Sequence, residues 1–241
     1  MTAAHRDADD RRQGYSPPTD VFTVPLSELL ELSGRVAQGP TGTRLLAALE
    51  GVSLHTAGEL HLVKRKCVAI VGTRQVSAAG AARARRLARE LVAAGVVVVS
   101  GLAMGVDTEA LTAAIEAGGR VIAVIGTPLD QASPAANGPL QERIAREHLL
   151  VSQFAPGSRV HPGNFPARNR TMAALSDATA IVEAGETSGT LHQAAECVRL
   201  GRWLFLARSL VEDATLTWPK RFAAQPRTVV LTETADILSR I

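Results

Sequence analysis

Residues 164–193 have the sequence NFPARNRTMAALSDATAIVEAGETSGTLHQ, in which a basic segment, an apolar segment and a polar turn follow one another. The basic segment is FPARNR at 165–170, and the polar turn is SGTL at 188–191. From Phe154 to Leu175 the chain has three arginines and no Asp or Glu. A segment with this charge distribution is typical of a site that receives an anion.

The alternation of helix and strand in this stretch extends along the chain in both directions. Short apolar runs predict strands, and apolar residues at helical spacing predict helices. The predicted strands are 67–71, 96–99, 121–125, 149–152, 179–182, 203–206 and 228–231. Two of the predicted helices begin at Ser77 and Asp107, each of which is the expected N-cap. The other four occupy 140–146, 166–175, 188–200 and 234–239. Apolar strands between helices indicate an α/β fold with three α/β/α layers and a mostly parallel sheet.

The composition agrees with an α/β core and mildly favours a polyanionic partner. Of 241 residues, 46% are hydrophobic but only 3% are aromatic, so the core must consist of Ala, Val, Leu and Ile. The net charge is +3, and basic residues cluster at 64–66 and 83–89. Cys67 and Cys197 lack metal-ligand spacing, so we expect reduced, buried thiols in a cytoplasmic protein.

We divide the chain into three parts. Residues 1–20 are charged and are predicted to form a disordered tail. Residues 21–60 predict two short helices, near 24–30 and 43–49, and a strand at 53–56, all docked on the main domain. Residues 61–241 form that domain. No apolar leader occurs at the start of the sequence and no segment predicts a membrane span, so we expect no membrane partner.

Four predicted strands end in polar turns that contain glycine. These turns are Gly72-Thr73-Arg74, Ser100-Gly101, Gly126-Thr127 and the segment 185–190. The carboxyl ends of parallel strands meet at one edge of a sheet, where ligands bind, and glycine lets backbone N–H groups approach a phosphate. The sequence therefore predicts a phosphate-binding rim.

Several familiar catalytic and cofactor motifs are absent from the sequence. Neither a dinucleotide fingerprint nor a Walker A motif follows the strand that ends at Gly72. No serine-hydrolase elbow and no cluster of metal ligands occurs, and His161 and His192 are isolated. We therefore expect no catalytic residue, no cofactor and no metal.

The arginines of the rim have different expected roles. Arg74 directly follows a strand, which favours a phosphate contact over a structural ion pair. Arg168 and Arg170 are two residues apart, so they cannot share one face of a helix. One is expected to reach the ligand and the other to anchor the fold, for which Glu183 is a candidate partner. Phe165 could stack on a base or belong to the core, and both readings stay open.

Six segments occur in the order found in the DNA-processing protein A (DprA/Smf) family, which the chain resembles over about residues 55–210. They are VAIVGTR (68–74), VVSGLAMGVD (98–107), IAVIGTPLD (122–130), SPAANGPL (133–140), FPARNR (165–170) and IVEAGETSGTLHQAA (181–195). The resemblance implies an extended Rossmann-like domain that binds single-stranded DNA, forms a homodimer and helps to load a recombinase. The DNA- and phosphate-binding positions that it and the rim suggest are Gly72, Thr73, Arg74, Ser100, Gly101, Phe165, Arg168, Asn169, Arg170, Ser188, Gly189 and Thr190.

The sequence also departs from that family. Leu111 stands where the family often has His, and Gln153 stands where it usually has Glu. The family's Ser-Gly-Ser-Leu-Ile-Thr is replaced by residues 188–193. The helical N-terminal and winged-helix C-terminal domains of many members do not fit in this length. We therefore expect a minimal or divergent member.

Two other functions stay open at this stage. Similar phosphoribohydrolases carry a Glu after a G-G-x-G-T motif, but here the matching residue is Gln193, which cannot act as a general base. Glu183, Glu186 or Glu196 could supply a displaced carboxylate for such an enzyme. The third possibility is a module that senses a small nucleotide without turnover.

Overall fold

The computed structural model describes residues 14–35, 43, 47 and 49–241. Its strands are β1 (Phe22–Pro25), β2 (Ser53–Gly58), β3 (Cys67–Gly72), β4 (Val97–Ser100), β5 (Val121–Ile125), β6 (Leu149–Ser152), β7 (Ala178–Glu183), β8 (Trp203–Ala207) and β9 (Thr228–Leu231). Its α-helices are α1 (Leu26–Ser33), α2 (Ala78–Ala93), α3 (Val106–Glu116), α4 (Gly138–Glu147), α5 (Asn164–Ala174), α6 (Thr190–Arg199), α7 (Arg208–Val211), α8 (Trp218–Ala223) and α9 (Ala235–Leu238). Most of the predicted tail and of the helix at 43–49 lies outside the described residues.

The described strands form one sheet in the order β1-β2-β6-β5-β4-β3-β7-β8-β9. The pairs from β6 to β9 are parallel, whereas β2 pairs with β1 and β6 in the antiparallel direction. The chain adds β4, β5 and β6 on one side of β3 and then β7, β8 and β9 on the other. The topological switch point, where open α/β sheets bind their ligands, therefore lies between β3 and β7.

Helices cover both faces of the sheet, which confirms the predicted three-layer α/β/α arrangement. Side chains of β3 alternate between the two cores. Val68 and Ile70 pack with α2, α3 and α4, whereas Ala69 and Val71 pack with α1, α5 and α6. Both faces of the central strands are buried, which explains why the strands are almost continuously apolar.

The predicted elements match the structure closely in the centre of the chain and less well at its ends. Ser77 caps α2 as expected, because its Oγ accepts from the Gly80 N–H at 3.0 Å. The prediction that Asp107 caps α3 was wrong. The helix begins at Val106 after Gly105, and the buried Asp107 carboxylate instead accepts from the Gly101 N–H at 3.0 Å. The sequence analysis also missed β1, α7 and α8, which are only four to six residues long.

Residues at the start of the described chain extend the sheet and lie against the main body. β1 and β2 add two antiparallel strands beyond β6. Behind them, the buried Arg35 forms an ion pair with Asp177 at 2.7 Å, and Asp177 also accepts from the Cys67 N–H at 2.8 Å. Cys67 and Cys197 are free and buried, and burial raises the pKa of the Cys67 thiol to about 11. Among the described residues, no helix is long and apolar enough to cross a membrane.

Candidate nucleic-acid interface

The glycine-containing turns lie along one edge of the sheet. They follow β5, β4, β3 and β7, which are adjacent in this order and parallel. Because the strands are parallel neighbours, their carboxyl ends share an edge, as the sequence predicted. We call this edge the rim. It consists of the turns at 126–127, 100–101, 72–74 and 185–190.

A cleft of about 370 Å³ opens at the rim, at the switch point between β3 and β7. We call it the rim cleft. Eight of the twelve predicted positions line it: Gly72, Arg74, Phe165, Arg168, Asn169, Ser188, Gly189 and Thr190. Thr73, Ser100, Gly101 and Arg170 do not line it, although they lie next to residues that do. The structure thus brings the segments at 72–74, 165–169 and 188–190 to one cavity.

Arg74 and Phe165 form a stacked pair at the rim cleft. The Arg74 guanidinium carbon lies 5.5 Å from the centroid of the Phe165 ring, within the range of a cation–π contact. Arg74 is exposed, whereas Phe165 is half-buried. The ring also lies so close to Gly126 that an added Cβ there would come within 2.8 Å of it. Phe165 is therefore held in place by the rim and covered by a cation.

Arg168 is buried below this pair. Its Nη1 donates to the Val124 carbonyl at 2.9 Å, and the guanidinium fills the space where a Cβ on Gly101 would lie. Burial raises the pKa of Asp107 and lowers the pKa of Arg168, and the attraction between the two opposite charges opposes both shifts. Arg168 thus anchors α5 to β4 and β5. Its opposite charge is Asp107, not the Glu183 that the sequence suggested.

Arg170 lies on another face of α5 from Arg168. Its side chain is 39% exposed, and its Nε lies 3.5 Å from Glu196 Oε1 without hydrogen-bond geometry. Glu196 also pairs with Arg199 at 3.0 Å. Pairing of Arg170 with Glu183 was a wrong expectation as well, because Glu183 accepts from Ser77 at 2.6 Å and from Arg83 at 3.2 Å.

Hydroxyl groups and backbone bonds hold the two polar turns of the rim. The Ser188 hydroxyl donates to the Thr190 hydroxyl at 2.9 Å and accepts from the Thr190 N–H at 3.2 Å, at the start of α6. Thr73 N–H donates to the Glu183 carbonyl at 2.7 Å, and the Ser100 hydroxyl donates to the Ile70 carbonyl at 2.7 Å. The hydroxyl of Ser100 is therefore used inside the sheet, whereas the α6 N-terminus faces the rim cleft.

Replacement of Gly105 by alanine should destabilise the protein through the backbone of the turn at 72–74. Gly105 has a φ of 78°, and an added Cβ would come within 2.7 Å of the Arg74 carbonyl oxygen and still closer to that of Thr73. We expect the free energy of unfolding to fall by about 2 kcal/mol. The strain of alanine at a positive φ adds to the steric clash between its Cβ and the two carbonyl oxygens. Chemical denaturation would measure this loss, with Gly118→Ala as the control. Gly118 has a similar φ of 74° but open space around it, so an equal loss in both variants would contradict the clash.

Asp107 and Gln193 line the rim cleft, although neither was among the predicted site residues. Gln193 is buried, and its Nε2 donates to the Thr179 hydroxyl at 3.2 Å. Its Oε1 has no hydrogen-bond partner in the described part of the chain. The sequence carries no local signal for this position, because the burial of Gln193 depends on how α6 packs on β7. Among residues 14–35 and 49–241, no group of His, Cys, Asp and Glu could hold a metal ion.

Comparison with known proteins identifies relatives that match more than half of the chain. The family model described as DNA recombination-mediator protein A matches residues 46–241. DNA processing protein DprA of Streptococcus pneumoniae is 42% identical over 162 residues, which cover 67% of this chain and 57% of that protein. DprA of Bacillus subtilis is 35% identical, with 71% and 58% covered. Protein Smf of Synechocystis is 43% identical, with 57% and 35% covered. The matches thus span between about a third and three-fifths of these relatives.

Two solved structures share the fold. The X-ray structure of DprA from Streptococcus pneumoniae superposes with a TM-score of 0.76 at 31% identity, covering 98% of this chain and 78% of that one. DNA processing protein A from Helicobacter pylori, solved in work on its single-stranded DNA binding mode, gives a TM-score of 0.72 at 24% identity. It covers 95% of this chain and 96% of that chain. The extended Rossmann-like fold expected from the sequence is confirmed.

Proposed function

Because the chain belongs to the DNA recombination-mediator protein A family, we propose that it binds single-stranded DNA in the rim cleft and does not cut it. Membership confirms the DprA/Smf resemblance that the six sequence segments carried. The single-stranded DNA binding named for the Helicobacter pylori protein supports the choice of ligand. One observation carries the proposal, namely the exposed guanidinium of Arg74 over the ring of Phe165 at the switch point of the sheet.

The residues around this pair have complementary roles in the proposal. Arg74 and Arg170 are exposed enough to reach phosphates, and the backbone N–H groups at the start of α6 add a favourable dipole. A base can stack on the outer face of the Arg74 guanidinium, which itself lies over Phe165, since arginine accepts bases of any sequence. Arg168, Ser100 and Gly101 hold the walls of the cleft and act as positioning residues.

The carboxylates that could have served a phosphoribohydrolase are engaged elsewhere. Glu183 is bound by Ser77 and Arg83, Glu196 pairs with Arg170 and Arg199, and Glu186 accepts from the Thr217 N–H at 2.9 Å. None of the three lines the rim cleft. The neutral Gln193 is on its floor instead. This arrangement supports binding without N-glycosidic cleavage.

A titration of fluorescent oligothymidylate at two salt concentrations tests the proposed function. We expect binding that weakens with salt, with a log–log slope of about −0.7 for each phosphate contacted. No binding to single strands at low salt would refute the proposal. Release of free base from nucleoside monophosphates by the same preparation would support the hydrolase instead, above all if Glu183→Gln abolished the release.

We extend the proposal to partners and location. The family resemblance and the DNA-binding rim favour a cytoplasmic homodimer that helps to place a recombinase on single strands. Sedimentation velocity of the protein alone would measure the assembly state, and a monomer at micromolar concentration would contradict the dimer. A recombinase filament assay, with and without this protein, would test the loading role.

A further inference from the structure

A second cleft, of about 540 Å³, lies at the same edge of the sheet but over other strands. Val182, Ala207 and Leu231 form its base, and they stand at or next to the carboxyl ends of β7, β8 and β9. Helix α2 forms one wall, and the segments after β8 and β9 form the others. We call it the α2 cleft. Its position has the same physical advantage as that of the rim cleft, since ligands of parallel sheets bind beyond the strand ends.

Three arginines line the α2 cleft among the described residues, and the charges of two of them are weakly engaged. Arg86 is 66% exposed and lies 4.0 Å from Glu90, while Arg208 is 60% exposed and lies 4.0 Å from Glu212. Exposed ion pairs of this length contribute little to stability. Arg83 contacts Glu183 through Nη2, but its buried Nε has no partner in the part of the chain that the structure describes. Arg86 and Arg208 can therefore turn towards an anion, whereas Arg83 stays with Glu183 and offers only its Nε–H.

Two carboxylates also line the α2 cleft, so its charge is unevenly distributed. Glu90 accepts from the Thr234 hydroxyl and faces Arg86. Seven residues, about 10 Å of helix, separate Glu90 from Arg83 on α2. Glu233 follows β9, whereas Arg208 directly follows β8. The end of the cleft near Arg83 and Arg208 is thus the positive one, and the end near Glu90 and Glu233 is not.

Glu183 joins the positive end of the α2 cleft to the rim cleft. Its carbonyl accepts from the Thr73 N–H at the rim, and its carboxylate is held by Ser77 and Arg83. The hydrogen bonds and the Arg83 charge offset the negative charge between the clefts. One cleft is centred between β3 and β7 and the other near β8, so they are separated by about one and a half strand spacings, roughly 7 Å. A single strand of a few nucleotides can bridge that distance.

We propose that the α2 cleft binds the phosphodiester backbone of the same DNA strand, a few nucleotides away from the part held in the rim cleft. The inference rests on the proposed function and adds a second site to it. Arg86 and Arg208 contact phosphates, and Arg83 orients the strand between the clefts. A strand too short to leave the rim cleft does not touch the second site, so the two sites are separable by DNA length.

The test compares the double variant Arg86→Ala/Arg208→Ala with the wild type on a thymidine dinucleotide and on an oligothymidylate of about 16 nucleotides, the upper site size of single-strand binding folds. The dinucleotide has a single phosphodiester, so it cannot occupy both clefts. For the long oligonucleotide we expect affinity to fall about tenfold at low salt and the log–log salt slope to become less steep by about 1.4, for two lost phosphate contacts. Affinity for the short one should not change. The matched control is Lys66→Ala/Arg89→Ala, which removes the same charge at exposed positions outside both clefts.

The possible outcomes separate this inference from the proposed function. A loss confined to the long oligonucleotide and absent from the control supports the second site. An equal loss in the control, an equal loss for both lengths, or no loss overturns it while leaving the rim cleft standing. Failure of the wild type to bind either oligonucleotide overturns the proposed function and this inference together. Thermal unfolding of both variants checks that their folds are intact.

Discussion

Replacement of Arg74 by alanine is expected to weaken binding of single-stranded DNA by about 2 kcal/mol, roughly thirtyfold, while stability is unchanged. The side chain is exposed and lies over the face of Phe165, so the fold loses little. The ligand loses a phosphate contact and half of a stacking platform. Fluorescence anisotropy measures the affinity, and chemical denaturation measures the stability.

Two further variants separate the effect of the Arg74 charge from that of its planar guanidinium and from a general loss of positive charge. Arg74→Lys keeps the charge but lacks the planar guanidinium that stacks on a ring, so it should restore the salt dependence and only part of the affinity. Arg89→Ala removes an equal charge from the exposed face of α2 and should have no comparable effect. If Arg74→Ala bound DNA as well as the wild type, the site would have to lie elsewhere.

Replacement of Arg168 by methionine is expected to act on stability instead, lowering the free energy of unfolding by about 3 kcal/mol at neutral pH. The variant loses the hydrogen bond to the Val124 carbonyl and leaves the buried Asp107 without its nearby opposite charge. Methionine fills a similar volume, so the loss reports on charge and hydrogen bonding rather than on an empty cavity. Denaturant unfolding of the two proteins measures it.

The pH dependence of this loss identifies its cause. Burial raises the pKa of Asp107 in the folded state, so the carboxyl contributes stability at low pH that is lost as pH rises through the folded pKa. Without Arg168 that pKa rises further. The difference between variant and wild type should therefore be largest at neutral pH and shrink towards about pH 4, near the pKa of an unperturbed Asp.

A second substitution provides the control for Arg168. Asp107→Asn removes the buried charge while keeping an acceptor oxygen for the Gly101 N–H. Added to Arg168→Met, it should recover part of the lost stability and remove the pH dependence of the difference. A difference that stayed constant with pH, with no recovery in the double variant, would mean that Arg168 acts through packing alone.

Many features of the fold follow from the sequence because their causes are local. The β-branched runs at 67–71 and 96–99 and the helical spacing after Ser77 specify their own elements. Parallel strands joined by helices place the glycine turns at one edge, so the rim was predictable before any contact was known. β1, α7 and α8 were not predicted, because four to six residues are too few to show a hydrophobic periodicity.

The roles of individual rim residues depend on tertiary structure. FPARNR places Arg168 and Arg170 on different faces of one helix, but nothing within the segment says which face packs on the sheet. The docking of α5 over β4 and β5 decides it, bringing Arg168 to Val124, which lies 44 positions earlier in the chain. The same docking sets Phe165 against Gly126 and under Arg74. The sequence by itself determined that glycine turns and a basic segment belong to this edge, because charge and turn chemistry are local. Only the tertiary structure decided that Arg168 is buried against the sheet and Arg170 is partly exposed, because contacts between distant segments set that choice.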